Sequence, residues 1–286
     1  MMKKIGALVL ALSLALSLTA CGQKAEQTAA QEEPETGEAE PVELVVFAAA
    51  SMTETLTEIA DLYKDAAPNV TLTFNFGSSG TLLTQIEEGA ECDLFISAAS
   101  TQMNALDGTL AQDAEKNPDG LDMLVPGSRI DLLENKVTLA VPEGNPKGIE
   151  SFDQLAQLLA DGSVFLAMGN SDVPVGQYTQ KIFAYYGLDE ASLAESGVLT
   201  YGSDVKEVTT QVSEAAVDCG VIYATDAFSA GLTVVDSATS EMCGQVIYPA
   251  AVIRGGNEKA AQAFLDYLQT DEAMAVFESV GFSPAF

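Results

Sequence analysis

Two serines of this chain lie where a predicted strand runs into a predicted helix, and the first is Ser51. Glu43 to Phe47 form a short run of mainly apolar, β-favouring residues, and from Leu56 onward apolar residues recur at helical spacing. Ser51 and Glu54 have the S-x-x-E spacing of a capping box, which predicts Ser51 at the helix N-cap. Unpaired first-turn N–H groups and a hydroxyl at such a corner can bind an anion.

The second serine corner follows an alternating strand from Val70 to Phe76. Gly77-Ser78-Ser79-Gly80 then precedes a short predicted helix, and glycines allow the backbone to come close to a ligand. Ser79 can cap this helix and turn its hydroxyl and N–H outward. Taken singly, a well-capped helix explains Ser51 and a plain loop explains the Gly-Ser turn. The return of the same pattern favours a binding site.

Side chains for other kinds of chemistry are scarce. The chain has no histidine, which removes the commonest general base and metal ligand. Apart from Cys21, the cysteines are Cys92, Cys219 and Cys243, an odd number without C-x-x-C spacing. We therefore expect no zinc site and at most one disulfide, with small buried thiols as the simpler interpretation.

The N-terminal residues have the pattern of an export signal. Two lysines precede an apolar stretch from Ile5 to Ala20 that is too short for a membrane span, so we assign 1–20 to a signal peptide. Leu18-Thr19-Ala20-Cys21 resembles the lipobox of bacterial lipoproteins, whose cysteine is lipid-modified. An ordinary secretory signal with a chance cysteine is the alternative. Residues 21–42 are Glu-rich and lack apolar periodicity, which predicts a disordered, lipid-anchored linker.

The remaining ~245 residues can bury a large core and form one large or two smaller domains. The chain is 48% hydrophobic yet carries a net charge of −30. Such acidity argues against nucleic acid as a partner and does not attract a small anion from bulk water. An anion site in this protein must therefore work through local hydrogen-bond donors.

Strands and helices alternate along the folded part. Cys92 to Ser97 read as a third strand before a helix from Thr101 to Leu106, so we expect an α/β fold with a mostly parallel sheet. Ligand sites of such sheets lie at the carboxyl ends of the strands, where both serine corners stand. The strand Lys136 to Val141, closed by Pro142 to Pro146, marks the predicted crossover to a second lobe.

The second half of the chain offers two more helix starts. Pro174 predicts the start of a helix, where Val175 and Gly176 would present first-turn N–H groups. Asp204 and Glu207 have capping-box spacing and open another helix.

Seven short segments between residues 43 and 286 carry a resemblance to a known family. They are FAAAS (47–51), FGSSGTL (76–82), DLFISA (93–98), VPVGQY (173–178), SDVKEV (203–208), GVIYATDA (220–227) and YPAAVI (248–253). In this order they resemble the periplasmic molybdate-binding proteins of ABC transporters. The resemblance implies a two-lobed class II periplasmic-binding-protein fold with mixed, mainly parallel sheets and a ligand cleft between the lobes. We place lobe 1 at 43–132 and 248–286, and lobe 2 at 133–247.

The resemblance also implies which residues hold the ligand. In this family uncharged donors bind the oxyanion, and the matching positions are Ser51 and Ser79, each through its hydroxyl and N–H. Val175 and Val205 would donate backbone N–H groups, although the family often has alanine at the first of these. The hydroxyl of Tyr223 would point into the cleft. No catalytic residue, cofactor or metal cation is implied, because molybdenum enters only as part of the oxyanion.

The function that follows is extracytoplasmic binding of molybdate or tungstate by a membrane-anchored, monomeric lipoprotein, with delivery to the permease and ATPase subunits of an ABC importer. Sulfate, phosphate or a small organic acid are alternative ligands. A site made only of donors prefers a fully deprotonated dianion, since hydrogen phosphate brings a proton that needs an acceptor. A secreted hydrolase with Ser51 or Ser79 as nucleophile is a further alternative, but no lysine or arginine adjoins either serine in the sequence.

Overall fold

The computed structural model describes residues 40–286. The predicted signal peptide, Cys21 and most of the predicted linker lie outside this range. Of the linker, residues 40–42 are described, and Val42 is already the first residue of a strand. Within residues 40–286, no helix is both long and apolar enough to span a membrane.

Strands and helices alternate along most of the described chain. The strands are β1 (Val42–Ala49), β2 (Val70–Gly77), β3 (Leu94–Ile96), β4 (Ile130–Asn135), β5 (Val137–Val141), β6 (Leu166–Gly169), β7 (Leu199–Gly202), β8 (Cys219–Tyr223), β9 (Thr233–Ser237), β10 (Val246–Val252) and β11 (Ser283–Pro284). The α-helices are α1 (Thr53–Ala66), α2 (Ser79–Glu87), α3 (Ser100–Leu106), α4 (Phe152–Ala160), α5 (Pro174–Tyr186), α6 (Glu190–Glu195), α7 (Val205–Ser213), α8 (Ala224–Ser229), α9 (Ser240–Cys243), α10 (Glu258–Tyr267) and α11 (Asp271–Ser279).

These strands form two mixed sheets. The first has six strands in the order β11-β4-β10-β3-β1-β2, and the second has five in the order β7-β6-β8-β5-β9. In the first sheet β1 is parallel to β2 and β3, whereas β10 is antiparallel to β3 and β4. In the second, β6 is parallel to β7 and β8, and β5 is antiparallel to its neighbours. The predicted α/β class with mixed sheets is confirmed.

The chain changes sheet at two places. Lys136 separates β4 of the first sheet from β5 of the second, and the segment from 238 to 245 joins β9 of the second sheet to β10 of the first. We use lobe 1 and lobe 2 for the parts of the chain built on the first and the second sheet. The predicted lobe boundaries at 132/133 and 247/248 fall inside β4 and β10, because both strands extend to the crossover.

The core explains why these segments take these conformations. β1 pairs on both sides and is almost wholly buried from Leu44 to Ala49, so it reads as a continuous apolar run instead of an alternating one. α1 buries Leu56, Ile59 and Tyr63, spaced along one helical face. Full burial of each such side chain contributes about 1.5–3 kcal/mol. The first sheet and its helices therefore hold the end of β1 firmly in place.

The cysteines serve as small buried side chains. Cys92, Cys219 and Cys243 are all free and buried, and burial raises the pKa of the Cys92 thiol to about 12. A thiol with so high a pKa is a poor nucleophile at neutral pH.

Candidate functional site

A small cavity lies where the carboxyl ends of strands from both sheets meet. Its cavity volume is only about 10 Å³, and the lining side chains lie close together. None of its lining residues is charged, and they come from both lobes: Ala49, Ala50, Ser51, Gly77, Ser78, Ser79, Ala98, Val173, Pro174, Val205 and Tyr223. The structure thus brings together four of the five predicted ligand residues. The fifth, Val175, follows directly after the lining residue Pro174.

Ser51 reaches this cavity differently from the prediction. It lies in a short 3-10 turn, Ala50–Met52, between β1 and α1, and Met52 occupies the N-cap of α1 without a side-chain cap. The prediction of a Ser51 capping box is therefore wrong. Instead of capping the helix, Ser51 Oγ lies 2.9 Å from the hydroxyl of Tyr248 on the neighbouring β10. A distant tyrosine thus holds the serine hydroxyl that local spacing assigned to the helix.

The second serine corner divides its roles between two residues. Ser78 is the N-cap of α2, and its Oγ accepts a hydrogen bond from Thr81 N at 3.2 Å. Ser79, which was predicted as a possible cap, is the first residue of the helix, and its Oγ accepts from Ala98 N at 2.9 Å. Ser79 is fully buried. Its own hydroxyl proton and its first-turn N–H remain available at the cavity.

Two helices of lobe 2 start at the same cavity. Pro174 is the first residue of α5, as predicted, so the first N–H that this helix can offer belongs to Val175. Asp204 caps α7 by accepting from Glu207 N at 2.9 Å, which leaves the N–H of Val205 without an intrahelical partner. Both helices thus present first-turn donors and the positive ends of their dipoles to the cavity.

Tyr223 is the last residue of β8, and its side chain is buried among lining residues of the cavity. Its hydroxyl has no hydrogen-bond partner among residues 40–286. Leaving a buried hydroxyl unpaired costs about 1–3 kcal/mol, so this hydroxyl can still take a hydrogen-bond partner at the cavity. Burial raises the pKa of Tyr223 well above its ordinary value, which keeps the hydroxyl protonated as a donor.

Charged groups lie beside the cavity but not in its wall. Lys206, the second residue of α7, places Nζ 2.7 Å from Glu54 Oε2 of α1 and 3.2 Å from Asp226 Oδ1 of α8. Asp226 is buried, and neither of its oxygens accepts a well-aligned hydrogen bond within the described residues. Burial raises the pKa of Asp226 to about 6, against the opposing effect of Lys206.

Neither serine is set up as a nucleophile. Ser51 Oγ is paired with a tyrosine hydroxyl and Ser79 Oγ with a backbone N–H. The nearby amine of Lys206 is paired with two carboxylates; burial lowers its pKa, but Asp226 and Glu54 outweigh burial and leave the pKa raised. A charged ammonium with a raised pKa cannot act as the general base that a serine nucleophile needs.

Sequence reasoning missed two polar residues behind the site. Tyr248 was recognised only as part of a strand motif, and Asn135, whose Nδ2 lies 3.2 Å from Tyr248 Oη, was not singled out. Both are buried. A tyrosine between two apolar strand residues reads as core, and only its contact with Ser51, 197 residues away, reveals more.

Comparison with known proteins agrees with this architecture. The family model for bacterial extracellular solute-binding proteins matches residues 44–283. The putative ABC transporter substrate-binding lipoprotein YvgL of Bacillus subtilis is 32% identical and aligns over 99% of both chains. The molybdate-binding protein ModA of Haemophilus influenzae is 30% identical over 84% of this chain and 89% of its own length.

Solved structures show the same fold. The substrate-binding domain of a putative molybdenum ABC transporter from Clostridium difficile is 31% identical, with a TM-score of 0.61 over 86% of this chain and 100% of its own. The periplasmic molybdate-binding protein of Azotobacter vinelandii, 20% identical, has a TM-score of 0.68 over 84% of this chain and 98% of its own. The predicted periplasmic-binding-protein fold and extracytoplasmic location are thereby supported. This chain belongs to the bacterial extracellular solute-binding protein family, whose members are substrate-binding components of ABC transporters and not enzymes.

Proposed function

We propose that this protein binds molybdate, and also tungstate, and delivers the oxyanion to the permease and ATPase subunits of an ABC importer. The observation that carries the proposal is a cavity between two lobes in which only uncharged donors converge, one of them the buried and unpaired hydroxyl of Tyr223. The proposed ligand contacts are the hydroxyl and N–H groups of Ser51 and Ser79, the N–H groups of Val175 and Val205, and the hydroxyl of Tyr223.

This donor set suits a small dianion. Helix starts place partial positive charges around a bound oxyanion, so no lysine or arginine is needed in the wall. Where a bound anion displaces water, such fixed donors interact more strongly with its charge than they would at an open surface. Proteins that are 30–32% identical to this chain bear the names of molybdate-binding or ABC transporter substrate-binding proteins, which supports molybdate as the ligand.

Isothermal titration calorimetry against molybdate, tungstate, sulfate and phosphate tests this assignment. We expect molybdate and tungstate to bind much more tightly than sulfate, because relatives that are 30–31% identical to this chain are named as molybdate-binding proteins. Tighter binding of sulfate would replace molybdate as the ligand, and no binding of any of the four anions would overturn the proposal.

We also propose that the mature protein is anchored to the membrane through a lipid on Cys21. The Leu18-Thr19-Ala20-Cys21 motif supports the anchor, and the name of the Bacillus subtilis relative includes lipoprotein. Detergent phase partitioning tests it. The expressed parent should enter the detergent phase and a Cys21→Ser variant should stay in the aqueous phase, whereas equal partitioning of the two proteins would disprove the anchor.

A further inference from the structure

Four buried polar side chains, Asn135, Thr225, Tyr248 and Ser51, form a hydrogen-bonded relay that leads from the first lobe crossover to the cavity. Asn135 is the last residue of β4, and its Nδ2 lies 2.9 Å from Thr225 Oγ1 and 3.2 Å from Tyr248 Oη. Tyr248 Oη in turn lies 2.9 Å from Ser51 Oγ. All four side chains are buried, so their hydrogen-bonding capacity must be satisfied by one another or by a ligand.

The direction of hydrogen bonding along this relay follows from a backbone N–H group next to Asn135. The N–H of Lys136 lies 2.8 Å from Asn135 Oδ1. A backbone N–H can only donate, so the amide oxygen of Asn135 must face it and the NH₂ group must face the two hydroxyls. The two hydrogens of this NH₂ then match the two oxygens within reach, Thr225 Oγ1 and Tyr248 Oη.

The bond from Asn135 to Tyr248 also fixes the direction of the next bond, in which Tyr248 donates to Ser51. Its hydroxyl accepts from Asn135 and has a single proton, for which Ser51 Oγ is the acceptor among the described residues. If Ser51 donated to Tyr248 instead, the tyrosine proton would have no well-aligned acceptor among these residues, because the nearby Tyr223 Oη does not meet hydrogen-bond geometry with it. Ser51 Oγ therefore accepts, and its own proton turns towards the cavity. Ser79 is in the same situation, because its Oγ accepts from Ala98 N.

We propose that Asn135 and Tyr248 are positioning residues that hold the Ser51 hydroxyl as a donor to the bound anion and so make the site discriminate against anions that carry a proton. The inference rests on the proposed oxyanion function and deepens it. Each serine oxygen accepts one hydrogen bond on the side away from the cavity, so its own proton faces the cavity and the serine meets the ligand as a donor. Hydrogen phosphate then leaves its O–H group unpaired in the cavity, whereas sulfate and molybdate have no such group.

Sulfate and hydrogen phosphate separate this effect from size, because the two anions are almost equally large and differ by one proton. Both are dianions in mildly alkaline buffer. Their affinities can be measured by competition against bound molybdate, for the parent and for Tyr248→Phe. Phenylalanine keeps the ring that packs against Tyr223 and Phe282 and removes only the hydroxyl. Tyr63→Phe is the matched control, because Tyr63 is also buried but packs against Phe264, away from the cavity.

In Tyr248→Phe, we expect molybdate affinity to fall about tenfold and the preference for sulfate over hydrogen phosphate to fall by at least a similar factor, since Ser51 can then rotate and accept the phosphate proton. Tyr63→Phe should change neither quantity. An equal loss of affinity for all three anions, with the sulfate-to-phosphate ratio unchanged, would show that Tyr248 is merely structural and would overturn the inference.

A double-mutant cycle tests whether Tyr248 acts through Ser51. In a Ser51→Ala background, Tyr248→Phe should leave molybdate affinity unchanged, because the hydroxyl that it orients is gone. Full additivity of the two losses would contradict the relay. If Tyr248→Phe does not fold, as judged by melting without ligand, Asn135→Ala tests the same relay and should lower the sulfate-to-phosphate ratio in the same direction.

The failure of this inference can be told apart from failure of the proposed function. If the parent protein binds none of these oxyanions, the proposed function fails and the relay fails with it. If the parent binds molybdate and Tyr248→Phe keeps both its affinity and its sulfate-to-phosphate ratio, only the relay is wrong.

Discussion

Lys206 Nζ lies 2.7 Å from Glu54 Oε2, and this ion pair joins the first turn of α7 in lobe 2 to the first turn of α1 in lobe 1. Each of these helices begins close to a proposed ligand donor, Val205 in α7 and Ser51 just before α1. The pair therefore forms across the cleft, next to the anion site and only when the lobes are together. Because the Glu54 side chain is 54% exposed, the pair contributes little, about 0.2–1 kcal/mol.

We expect Glu54→Gln to weaken molybdate binding about two- to fivefold, because it removes an attraction that exists only in the closed form. Asp61→Asn is the control, since Asp61 pairs with Lys64 within the same helix and both side chains are largely exposed. Calorimetry at low and high salt checks the expectation, and the difference between the two variants should shrink as salt screens the pair. Equal effects of the two substitutions at low salt would rule out a role for the pair in closure.

Gly80 allows the lobes to approach each other. A β carbon at this position would overlap the carbonyl oxygen of Asp172, which belongs to lobe 2. Gly80→Ala should therefore hinder closure and lower molybdate affinity by tenfold or more. Within lobe 1 alone, the same change should be neutral or stabilising, because alanine favours a helix over glycine by up to about 1 kcal/mol.

Two measurements on Gly80→Ala separate these effects. Calorimetry should show the loss of affinity. Thermal melting without ligand should show that Gly80→Ala is no less stable than the parent. Small-angle scattering in saturating molybdate should also give a larger radius of gyration than for the parent. Unchanged affinity would mean that the Asp172 loop yields easily, and that Gly80 has no special role.

Several features of this site were predictable because they depend on local sequence. Pro174 begins α5 and Asp204 caps α7 because proline at a first helical position and an aspartate three residues before a glutamate act within a single turn. The strands β1 and β8 were visible as buried apolar runs. The carboxyl ends of parallel strands then lie along a common edge, so the four helix starts could be expected to converge.

Other features depend on residues far apart in the sequence. The S-x-x-E spacing at Ser51 predicts a cap, but Tyr248 engages the hydroxyl and the chain takes a 3-10 turn before α1. The segment β4 is a strand because it pairs antiparallel with β10, and local periodicity does not show this pairing. The contact of Gly80 with Asp172 also requires the two lobes to be in place.

Asp226 should make stability depend on pH in a particular direction. Its pKa in the folded protein is about 6, raised by burial and by the nearby carboxylates of Glu54 and Asp204, while Lys206 opposes the rise. Unfolding returns the pKa to its ordinary value of 3.8. The folded state therefore binds more protons than the unfolded state between about pH 4 and pH 6, and the contribution of Asp226 to stability falls as the pH rises through this window.

The variant Asp226→Asn removes this dependence, because an amide does not titrate. The free energy of unfolding of the variant minus that of the parent should therefore increase between about pH 4 and about pH 6. The increase should be roughly 3 kcal/mol at most, since one pKa unit corresponds to about 1.4 kcal/mol. Urea unfolding at several pH values measures the difference, in which the titration of all other carboxylates cancels. A difference that stays constant with pH would show that Asp226 titrates normally.

Substitutions at the proposed ligand residues should separate side-chain from backbone donors. Ser51→Ala should weaken molybdate binding more than Tyr223→Phe, because a hydrogen bond to a charged group is worth about 1.5–3 kcal/mol and Ser51 also anchors its turn to Tyr248. Tyr223→Phe should not lower the stability of the ligand-free protein, since the hydroxyl that it removes is unpaired.

Val175→Ala should lower stability and leave molybdate binding almost unchanged, the reverse of what we expect for Tyr223→Phe. Val175 is fully buried, so truncation should cost roughly 1–3 kcal/mol of stability, but its N–H survives and molybdate affinity should change little. Melting without ligand and calorimetry on all three variants test this pattern. Loss of binding in Val175→Ala with retention in Ser51→Ala would mean that the donors of the cavity are wrongly assigned.

A ligand held between two lobes should also stabilise the folded protein. An anion that binds only the folded, closed form raises the free energy of unfolding by RT ln(1 + [L]/Kd), about 2.7 kcal/mol at a hundredfold excess over Kd. For a folded unit of ~245 residues, each kcal/mol moves the melting temperature by roughly 2–4 °C. Saturating molybdate should therefore raise the melting temperature by roughly 5–10 °C.

The net charge of −30 makes a salt control necessary for this melt. Any added salt screens repulsion among the acidic side chains and stabilises the compact state without occupying a site. Chloride at matched ionic strength measures this screening, and sulfate measures what a smaller dianion gains in the same cavity. Only the excess shift of molybdate over chloride reports the site, and that excess should shrink in Ser51→Ala. Identical shifts for molybdate, sulfate and chloride would reduce the stabilisation to screening and remove the support for a specific oxyanion site.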